Sequence, residues 1–339
     1  MTDRLRWGIL ATGKIAGTFA KGVAASRTGV NAAVGSRTME SAERFGVEHN
    51  IQRRHGSYQE LLDDPEVDAI YISLPNHMHA EWTVKCARAG KHILCEKPFT
   101  VNLAEAEAVI EIVRQSGVFL MEAFMYRCHP QTARLATLLR DGAVGDVRLI
   151  QANFCYNMGP SYENIRLSNP AAGGGIMDVG CYTVSMARLV AGEEPVSVTG
   201  DGVIGDISRV DEQAVASLRF PSGAVANLAC ATQVSADSEL RIWGSAGNIR
   251  VPNPWFPGES NSRIILQRSG SDASEELVNS DVPLYAVEAD TVAAGVNGQE
   301  APPPCMTWQD TLNNMRVLDA WRKQAGLVFD VEKTPRPAL

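Results

Sequence analysis

RWGILATGKIA, residues 6–16, is the stretch that decides the fold of the first third of the chain. Its apolar start at residues 6–10 predicts a buried strand, and residues 14–25 predict a helix. The turn at residues 11–16 matches G-x-G-x-x-G/A with Ala11 in place of the first glycine. Small residues at such a turn let the backbone approach a pyrophosphate at the helix N-terminus. A tight turn without a ligand explains the match almost as well, but its position at the first strand–helix crossover favours a dinucleotide site.

An alternation of strands and helices continues over the first part of the chain. Strands separated by helices of this length predict a parallel sheet with right-handed crossovers. The predicted strands are residues 6–10, 30–35, 69–74, 92–95 and 118–121, and the predicted helices are residues 14–25, 41–49, 79–89, 103–115 and 131–140.

The pattern changes from residue 147 onward, where short runs alternate apolar and polar residues between turn signals. Such runs predict an antiparallel or mixed sheet with one face exposed to water. A length of 339 residues also suits two domains. In this half, strands are predicted at residues 148–154, 214–220, 224–231, 239–243 and 263–267, and helices at residues 177–190, 284–297 and 308–324.

Composition and charge argue against several classes of function. The 39 acidic and 31 basic residues give a formal net charge of −8, so neither nucleic acid nor an anionic membrane is an expected partner. No apolar stretch is long enough to span a bilayer and no cleavable apolar segment begins the chain, so we expect a cytoplasmic protein. The seven cysteines are scattered without a Cys-x-x-Cys pair. We expect them to be reduced, and we expect no zinc site or other metal site.

A lysine is predicted at the edge of the parallel sheet. Glu96-Lys97-Pro98 follows the apolar strand at residues 92–95, and Pro98 cannot extend a central strand, so the chain must turn there. This turn places Lys97 at the carboxyl edge of the sheet, where open α/β folds bind ligands. A lysine in that position can orient a hydroxyl group or tune a neighbouring acid. A solvated lysine beside a turn is the alternative for this tripeptide alone.

The end of the second strand indicates the kind of dinucleotide. An NAD enzyme typically places a carboxylate here for the ribose 2′-hydroxyl, whereas this chain has Ser36 and Arg37. An arginine binds phosphate through two hydrogen bonds and stacks on adenine, while a carboxylate would repel a 2′-phosphate. We therefore favour NADP(H) over NAD(H). The alternative is that Arg37 is solvated and Glu40 contacts the ribose.

The third strand runs into LPNHMH, residues 74–79, at the same edge of the sheet. These residues are candidates to line the ribose next to the nicotinamide. For His79, a structural role at the start of the following helix is an equal alternative.

A second group of candidate residues opens a helix in the other half of the chain. AAGGGIMDVGCY, residues 171–182, has three glycines before the helix, which suits a loop approached closely by a ligand. Asp178 and Tyr182 are four residues apart and share one helical face. A carboxylate and a phenol beside a nicotinamide ring could bind a polyol and move its proton, and an ammonium group such as that of Lys97 favours the phenolate. A half-buried packing aromatic is the alternative for Tyr182.

Together these motifs resemble the glucose-fructose oxidoreductase/inositol dehydrogenase family, also called Gfo/Idh/MocA. The resemblance covers nearly the whole chain. It implies an α/β protein with a Rossmann dinucleotide-binding domain at residues 1–124 and a substrate-binding and oligomerisation domain at residues 125–339. The second domain of this family has a large open, mostly antiparallel sheet, through which members usually form dimers or tetramers. The motifs are the turn at residues 11–16, Pro75-Asn76 with His79, Glu96-Lys97-Pro98, and Gly173-Gly174-Gly175 with Asp178, Gly180 and Tyr182.

The resemblance also implies roles for individual residues. Lys97 matches the catalytic-site lysine of the family. Tyr182 is similar to the tyrosine of the glucose-fructose oxidoreductase, dimeric dihydrodiol dehydrogenase and NADP-dependent xylose dehydrogenase branches, where it gives and takes the proton. Inositol dehydrogenase-like members carry histidine there. The segment MEAFMYR, residues 121–127, with His129-Pro130 looks like the same branches and implies that Arg127 faces the substrate.

The sequence thus predicts an NADP(H)-dependent oxidoreductase that interconverts a secondary alcohol and a ketone or lactone on a sugar or cyclic polyol. Hydride passes to C4 of the nicotinamide, and Tyr182 is the acid and base. The alternatives are a trans-dihydrodiol or dicarbonyl oxidoreductase, and a non-catalytic regulator that senses NADP and a sugar. The predicted site residues are Lys97, Tyr182 and Asp178 for catalysis; Ala11, Thr12, Gly13, Lys14, Ile15, Ser36, Arg37, Leu74, Pro75, Asn76, His79, Glu96 and Lys97 for the cofactor; and Arg127, Asp178 and Tyr182 for the substrate.

Overall fold

The computed structural model describes residues 4–333, which divide into two compact units. The first unit comprises residues 4–128 and 280–311, and the second comprises residues 129–279 and 312–333. The prediction of one boundary after residue 124 omits the return of residues 280–311 to the first unit. A local sequence pattern does not encode this return, because it depends on contacts between segments that are far apart in the chain.

The first unit contains a six-stranded parallel sheet, which confirms the predicted Rossmann architecture. Its strands are, in chain order, β1 (Leu5–Leu10), β2 (Gly29–Gly35), β3 (Arg53–His55), β4 (Ala69–Ile72), β5 (His92–Glu96) and β6 (Leu120–Ala123). The strand order is β3-β2-β1-β4-β5-β6, so the order reverses between β1 and β4. Ligands of open α/β sheets bind outside the carboxyl ends of the strands at such a reversal. All four residues of β4 are buried, as expected for a strand covered on both faces.

Six helices alternate with these strands, and the last of them ends the first segment of the unit at Cys128. They are α1 (Lys14–Ala25), α2 (Met39–Glu48), α3 (Tyr58–Leu62), α4 (His79–Arg88), α5 (Leu103–Ser116) and α6 (Met125–Cys128). Side chains cap the starts of several helices, because the first N–H groups of a helix have no partner within it. Thr38 accepts a hydrogen bond from the backbone of Ser41 in α2, and Asn102 does the same for Glu105 in α5.

The second unit contains an eight-stranded open sheet of order β14-β13-β12-β11-β7-β10-β9-β8. Its strands are β7 (Val147–Cys155), β8 (Ser197–Ile204), β9 (Asp211–Arg219), β10 (Val225–Ala231), β11 (Leu240–Gly244), β12 (Gly247–Val251), β13 (Arg263–Arg268) and β14 (Ser274–Leu277). Strands β7 and β10 pair in parallel, and the other neighbours are antiparallel, so the predicted open, mostly antiparallel sheet is confirmed.

Helices cover one face of this sheet. They include α7 (Pro130–Arg140) and α8 (Cys181–Ala191), and α8 packs on β7 and β10. In β9, the apolar residues Ala214, Ala216 and Leu218 point to this face and are buried, whereas the residues between them are exposed. This alternation is the pattern expected of a sheet with one face in water.

Two further helices complete the chain. In the first unit, α9 (Leu284–Gly295) packs on α1, and a Cβ atom placed on Gly22 would lie 2.5 Å from the Cβ atom of Tyr285. The division between the units falls after Thr311, within α10 (Trp308–Gln324). No helix within residues 4–333 is long and apolar enough to cross a membrane.

Candidate functional site

The turn after β1 has the geometry of a phosphate-binding turn. Ala11 has φ 89°, a left-handed conformation that favours glycine, so the backbone keeps the shape of the motif although its first glycine is absent. Gly13 precedes α1, and no side chain caps this helix start. The first turn of α1 carries no acidic residue, and a Cβ atom on Gly13 would have no neighbour within 4 Å. An uncapped helix start beside open space fits a pyrophosphate group.

Hydroxyl and guanidinium groups gather at the carboxyl end of β2. The hydroxyl oxygens of Thr12 and Ser36 lie 3.3 Å apart, so the turn after β1 and the end of β2 are neighbours. Ser36 is buried, while Arg37 is exposed and Thr38 caps α2. These groups can donate hydrogen bonds to a phosphate, and the nearby start of α2 adds a favourable dipole.

His79 is fully buried at the start of α4. Its ring nitrogens lie 2.8 Å from the carbonyl oxygen of Pro98 and 2.7 Å from that of Leu74. Burial lowers the pKa of His79 to about 4, so near pH 7 the ring is neutral and donates one hydrogen bond at a time. These contacts tie the loop after β4 to the loop after β5. They favour the structural alternative for His79.

The two residues before Pro98 have different environments. The carboxylate of Glu96 is buried, and it accepts hydrogen bonds from the hydroxyl of Tyr71 and, at 3.3 Å, from the backbone N–H of Lys97. The ring of Tyr71 stacks on Phe19 of α1 with 3.8 Å between ring centroids. Glu96 therefore anchors the end of β5 to the core of the first unit. Lys97 is partly exposed, and its peptide bond to Pro98 is cis.

Arg127 is buried in the first unit. Its guanidinium donates to the carbonyl oxygen of Pro304 and, at 2.5 Å, to a carboxylate oxygen of Asp310. Only 3% of the residue is exposed. These contacts join α6 to the proline-rich segment before α10 and to the first turn of α10 itself. The role of Arg127 at the substrate stays a prediction.

Asp178 lies on one wide π-helical turn, Ile176–Gly180, which continues into α8. Its Oδ2 atom accepts hydrogen bonds from the hydroxyl of Tyr156 at 2.5 Å and from Nε of Arg166 at 3.1 Å. Burial and the charge of Asp178 raise the pKa of the Tyr156 phenol, so that phenol stays protonated and continues to donate. π-Helical turns often occur at functional sites.

Tyr182 lies one turn further along the same helix and is buried. Its ring contacts Phe154 edge-on at 5.2 Å between centroids and Trp255 edge-on at 6.0 Å. These contacts agree with the alternative that Tyr182 is a packing aromatic. Such packing also fixes the direction of the hydroxyl group, and a catalytic phenol needs that fixed direction.

Tyr156 and Arg166 were not predicted from the sequence, and both donate to Asp178. They precede it by 22 and 12 residues, respectively, and neither belongs to a local motif. The three glycines before the helix were predicted to allow the close approach of a ligand. A Cβ atom on Gly173 would lie 2.4 Å from the carbonyl oxygen of Ile165, and Gly174 has φ 104°. Within the second unit, Gly173 therefore lies close to protein backbone, whereas Gly174 and Gly175 lie close to the side chain of Asp211.

Metal-binding clusters are not found in the described part of the chain. Within residues 4–333, no three His, Cys, Asp or Glu side chains are grouped so as to hold a metal ion. The seven cysteines are free thiols.

Family models match both halves of the chain. Residues 5–124 match the model described as oxidoreductase family, NAD-binding Rossmann fold, and residues 132–250 match the GFO/IDH/MocA C-terminal domain. Trans-1,2-dihydrobenzene-1,2-diol dehydrogenase of Xenopus tropicalis is 34% identical over 336 residues, which cover 96% of this chain and 99% of that protein. D-xylose 1-dehydrogenase (NADP(+)) 2 of Haloferax volcanii is 34% identical over 291 residues, which cover 85% of this chain and 87% of that protein.

A similar solved structure contains a bound dinucleotide. The crystal structure of KijD10, a 3-ketoreductase from Actinomadura kijaniata, in complex with NADP and TDP-benzene, superposes with a TM-score of 0.87 at 27% identity. The match covers 95% of this chain and 98% of that one. With the two family-model matches, these similarities show that the chain belongs to the GFO/IDH/MocA family of oxidoreductases, which has an NAD(P)-binding Rossmann domain.

Proposed function

We propose that the protein is an NADP(H)-dependent oxidoreductase that interconverts a secondary alcohol and a ketone or lactone on a sugar or cyclic polyol. One observation carries the proposal: Asp178 and Tyr182 lie one turn apart on the same helix of the second unit. The carboxylate of Asp178 accepts hydrogen bonds from Tyr156 and Arg166, and the ring of Tyr182 is held by packing. The activities of similar proteins support it, since these proteins include a xylose dehydrogenase and a 3-ketoreductase.

The proposed chemistry divides hydride transfer from proton transfer. The nicotinamide, when bound, supplies the acceptor or donor of hydride. Tyr182 takes the proton of the substrate hydroxyl during oxidation and returns it during ketone reduction. Asp178 accepts a hydrogen bond from the substrate and orients it, and Arg166 and Tyr156 keep its carboxylate in place. Lys97 supplies the positive charge that favours the phenolate form of Tyr182.

The residues proposed to hold the cofactor lie at the carboxyl edge of the Rossmann sheet. The backbone of residues 11–15 receives the pyrophosphate, and the hydroxyl of Ser36 and the guanidinium of Arg37 receive the 2′-phosphate. The backbone of residues 74–76 and of Glu96-Lys97 lines the ribose beside the nicotinamide. Two features support NADP(H) over NAD(H). The guanidinium of Arg37 is exposed, and neither residue 36 nor residue 37 is a carboxylate.

Replacing Arg37 with alanine is expected to raise the KM for NADP+ by about 10- to 100-fold and to change the KM for NAD+ by less than about threefold. The reason is that a charge-assisted hydrogen bond contributes about 1 to 3 kcal/mol, and only NADP+ carries the 2′-phosphate. Steady-state kinetics with both cofactors measure the two constants. Arg44→Ala, which removes another exposed arginine next to Glu40, is the matched control.

Two outcomes would contradict this cofactor assignment. One is an equal effect of Arg37→Ala on both constants. The other is a wild-type protein that prefers NAD+ and loses affinity for NAD+ on Glu40→Ala. That result would support the alternative that Glu40 contacts the ribose.

A substrate panel separates the proposed function from its alternatives. NADPH absorbance followed with sugars, keto-sugars, dicarbonyls and trans-dihydrodiols shows which class turns over. The dihydrodiol dehydrogenase relative makes trans-dihydrodiols the second candidate substrate class. A non-catalytic sensor would bind NADPH without turnover of any member of the panel, although such a sensor needs no acid–base residues.

We also propose that the protein forms a homodimer or homotetramer through the exposed face of the eight-stranded sheet. Apolar side chains at Leu149, Val203 and Val215 are exposed in its strands, and Val225 lies beside Leu149 in the register. Burying such side chains against a second copy is favourable. Light scattering at micromolar concentration is expected to give a dimer or tetramer, and a monomer would contradict the proposal.

A further inference from the structure

A buried carboxylate contacts the start of the helix that carries Asp178 and Tyr182. Asp211 is the first residue of β9 and is fully buried. Its Oδ2 atom accepts a hydrogen bond from the backbone N–H of Ile176 at 2.7 Å. The backbone N–H of Gly175 also acts on this carboxylate, and it opposes the rise in pKa that burial causes. Asp211 therefore satisfies N–H groups at the start of the helix, which have no partner inside it.

The loop before this helix is shaped around the same carboxylate. A Cβ atom on Gly174 would lie 2.2 Å from Oδ1 of Asp211, and one on Gly175 would lie 3.2 Å from Oδ2. On the other side, the N–H of Gly174 donates to the carbonyl oxygen of Arg166 at 2.8 Å. Arg166 in turn contacts Asp178 through its side chain. The glycine loop, the helix start and the Asp178 carboxylate thus form one connected set of contacts.

The choice of a carboxylate at this position is costly. Asp211 has no ion pair at hydrogen-bond distance, and its Oδ1 atom has no hydrogen-bond partner within the described residues. A serine, threonine or asparagine would satisfy a helix start at lower cost. In its ionised form, Asp211 interacts more strongly than a neutral cap with the positive end of a helix dipole, so that form fixes the helix start more rigidly.

We infer that Asp211 is a positioning residue that sets the place of Asp178 and Tyr182 by holding the start of their helix. The inference rests on the proposed function of that helix. A positioning role predicts that Asp211 affects turnover and the mobility of the helix start without contacting substrate or dinucleotide. A change of the position of a catalytic group by about 1 Å can cost about 100-fold in rate.

The protonation of Asp211 gives a second readout. Burial raises the pKa of Asp211 from 3.8 to about 7. Two titratable groups lie around it, Arg322 of α10 and Cys230 of β10. Arg322 forms an ion pair with Glu332, and the carboxylate of the adjacent Glu212 accepts a hydrogen bond from Ser208. Because the folded protein keeps a proton that the unfolded chain loses between about pH 3.8 and pH 7, the contribution of Asp211 to stability falls as pH rises through this interval.

The test compares Asp211→Ala and Asp211→Asn in the full-length protein. Asp211→Ala removes the acceptor, so we expect kcat to fall about 10- to 100-fold, with the KM for NADP+ within about threefold of wild type. Hydrogen–deuterium exchange at residues 173–180 is expected to become faster. Asparagine keeps an acceptor for Ile176 but not the charge, so Asp211→Asn is expected to give exchange and kcat values between those of Asp211→Ala and wild type, and to lose the ionisation near pH 7 from the pH profile of kcat.

Ser57→Ala is the matched control, since it removes the side-chain acceptor at the start of α3, a helix without proposed site residues. It is expected to lower stability without a change in kcat of the folded fraction. The inference is overturned if folded Asp211→Ala keeps kcat within threefold of wild type, or if exchange at residues 173–180 does not change. If Asp211→Ala does not fold, an Asp211→Asn variant with the wild-type pH profile overturns it. A failure of the proposed function is recognised separately, because Tyr182→Phe would then also retain turnover.

Discussion

Replacing Tyr182 with phenylalanine is expected to lower kcat by about 100- to 10,000-fold, while the KM for the dinucleotide changes little. The loss corresponds to the removal of a positioned acid and base. Phenylalanine keeps the ring, so the edge-on contacts with Phe154 and Trp255 are retained and the fold should be unaffected. The dinucleotide constant is expected to stay near that of wild type, because the hydroxyl is assigned to the substrate.

The measurement is NADPH absorbance with the best substrate of the panel, together with thermal unfolding of each variant. Tyr162→Phe, which removes an exposed hydroxyl of the same unit, is the matched control and should leave kcat unchanged. If Tyr182 only packs, its phenylalanine variant would fold, bind NADPH and turn over within a few-fold of wild type. Asp178 would then become the candidate base, since both ring nitrogens of His79 contact backbone carbonyls.

The sequence predicted the fold well wherever a periodic pattern was long. Helix α1 and helix α10 have the predicted bounds, because each is bordered by clear changes of pattern. Strand β3 was missed because it has three residues, and β14 because all four of its residues are exposed. Strand β8 was missed because it contains two glycines, of which Gly200 makes room for the ring of Trp321, 2.6 Å from where its Cβ atom would lie.

The candidate site was predictable only in its local parts. The spacing of Asp178 and Tyr182 places them on one helix, and the structure shows both there. A motif does not tell whether a side chain points to solvent or into the core. His79 and Arg127 are examples, because their polar groups form hydrogen bonds inside the first unit. Asp211 precedes no motif, and its contact with Ile176 joins residues 35 positions apart.

Replacing Lys97 with methionine is expected to lower kcat by about 100- to 10,000-fold and to shift the remaining activity to higher pH. Methionine keeps an unbranched side chain and removes the positive charge, so the phenolate form of Tyr182 becomes harder to reach near neutral pH. The turn itself should persist, because the carboxylate of Glu96 accepts from Tyr71 and from the backbone N–H of residue 97. Lys85→Met, which removes a partly exposed lysine paired with Glu81, is the matched control.

The double variant Lys97→Met/Tyr182→Phe decides whether the two residues serve one proton transfer. If Tyr182 is already missing, the charge of Lys97 has no phenolate left to favour. The kcat of the double variant should therefore lie close to that of the poorer single variant. Two losses that multiply would assign Lys97 and Tyr182 to separate steps. A Lys97→Met variant that keeps the wild-type pH profile would remove the lysine from the proposed proton transfer, whatever the size of its effect on kcat.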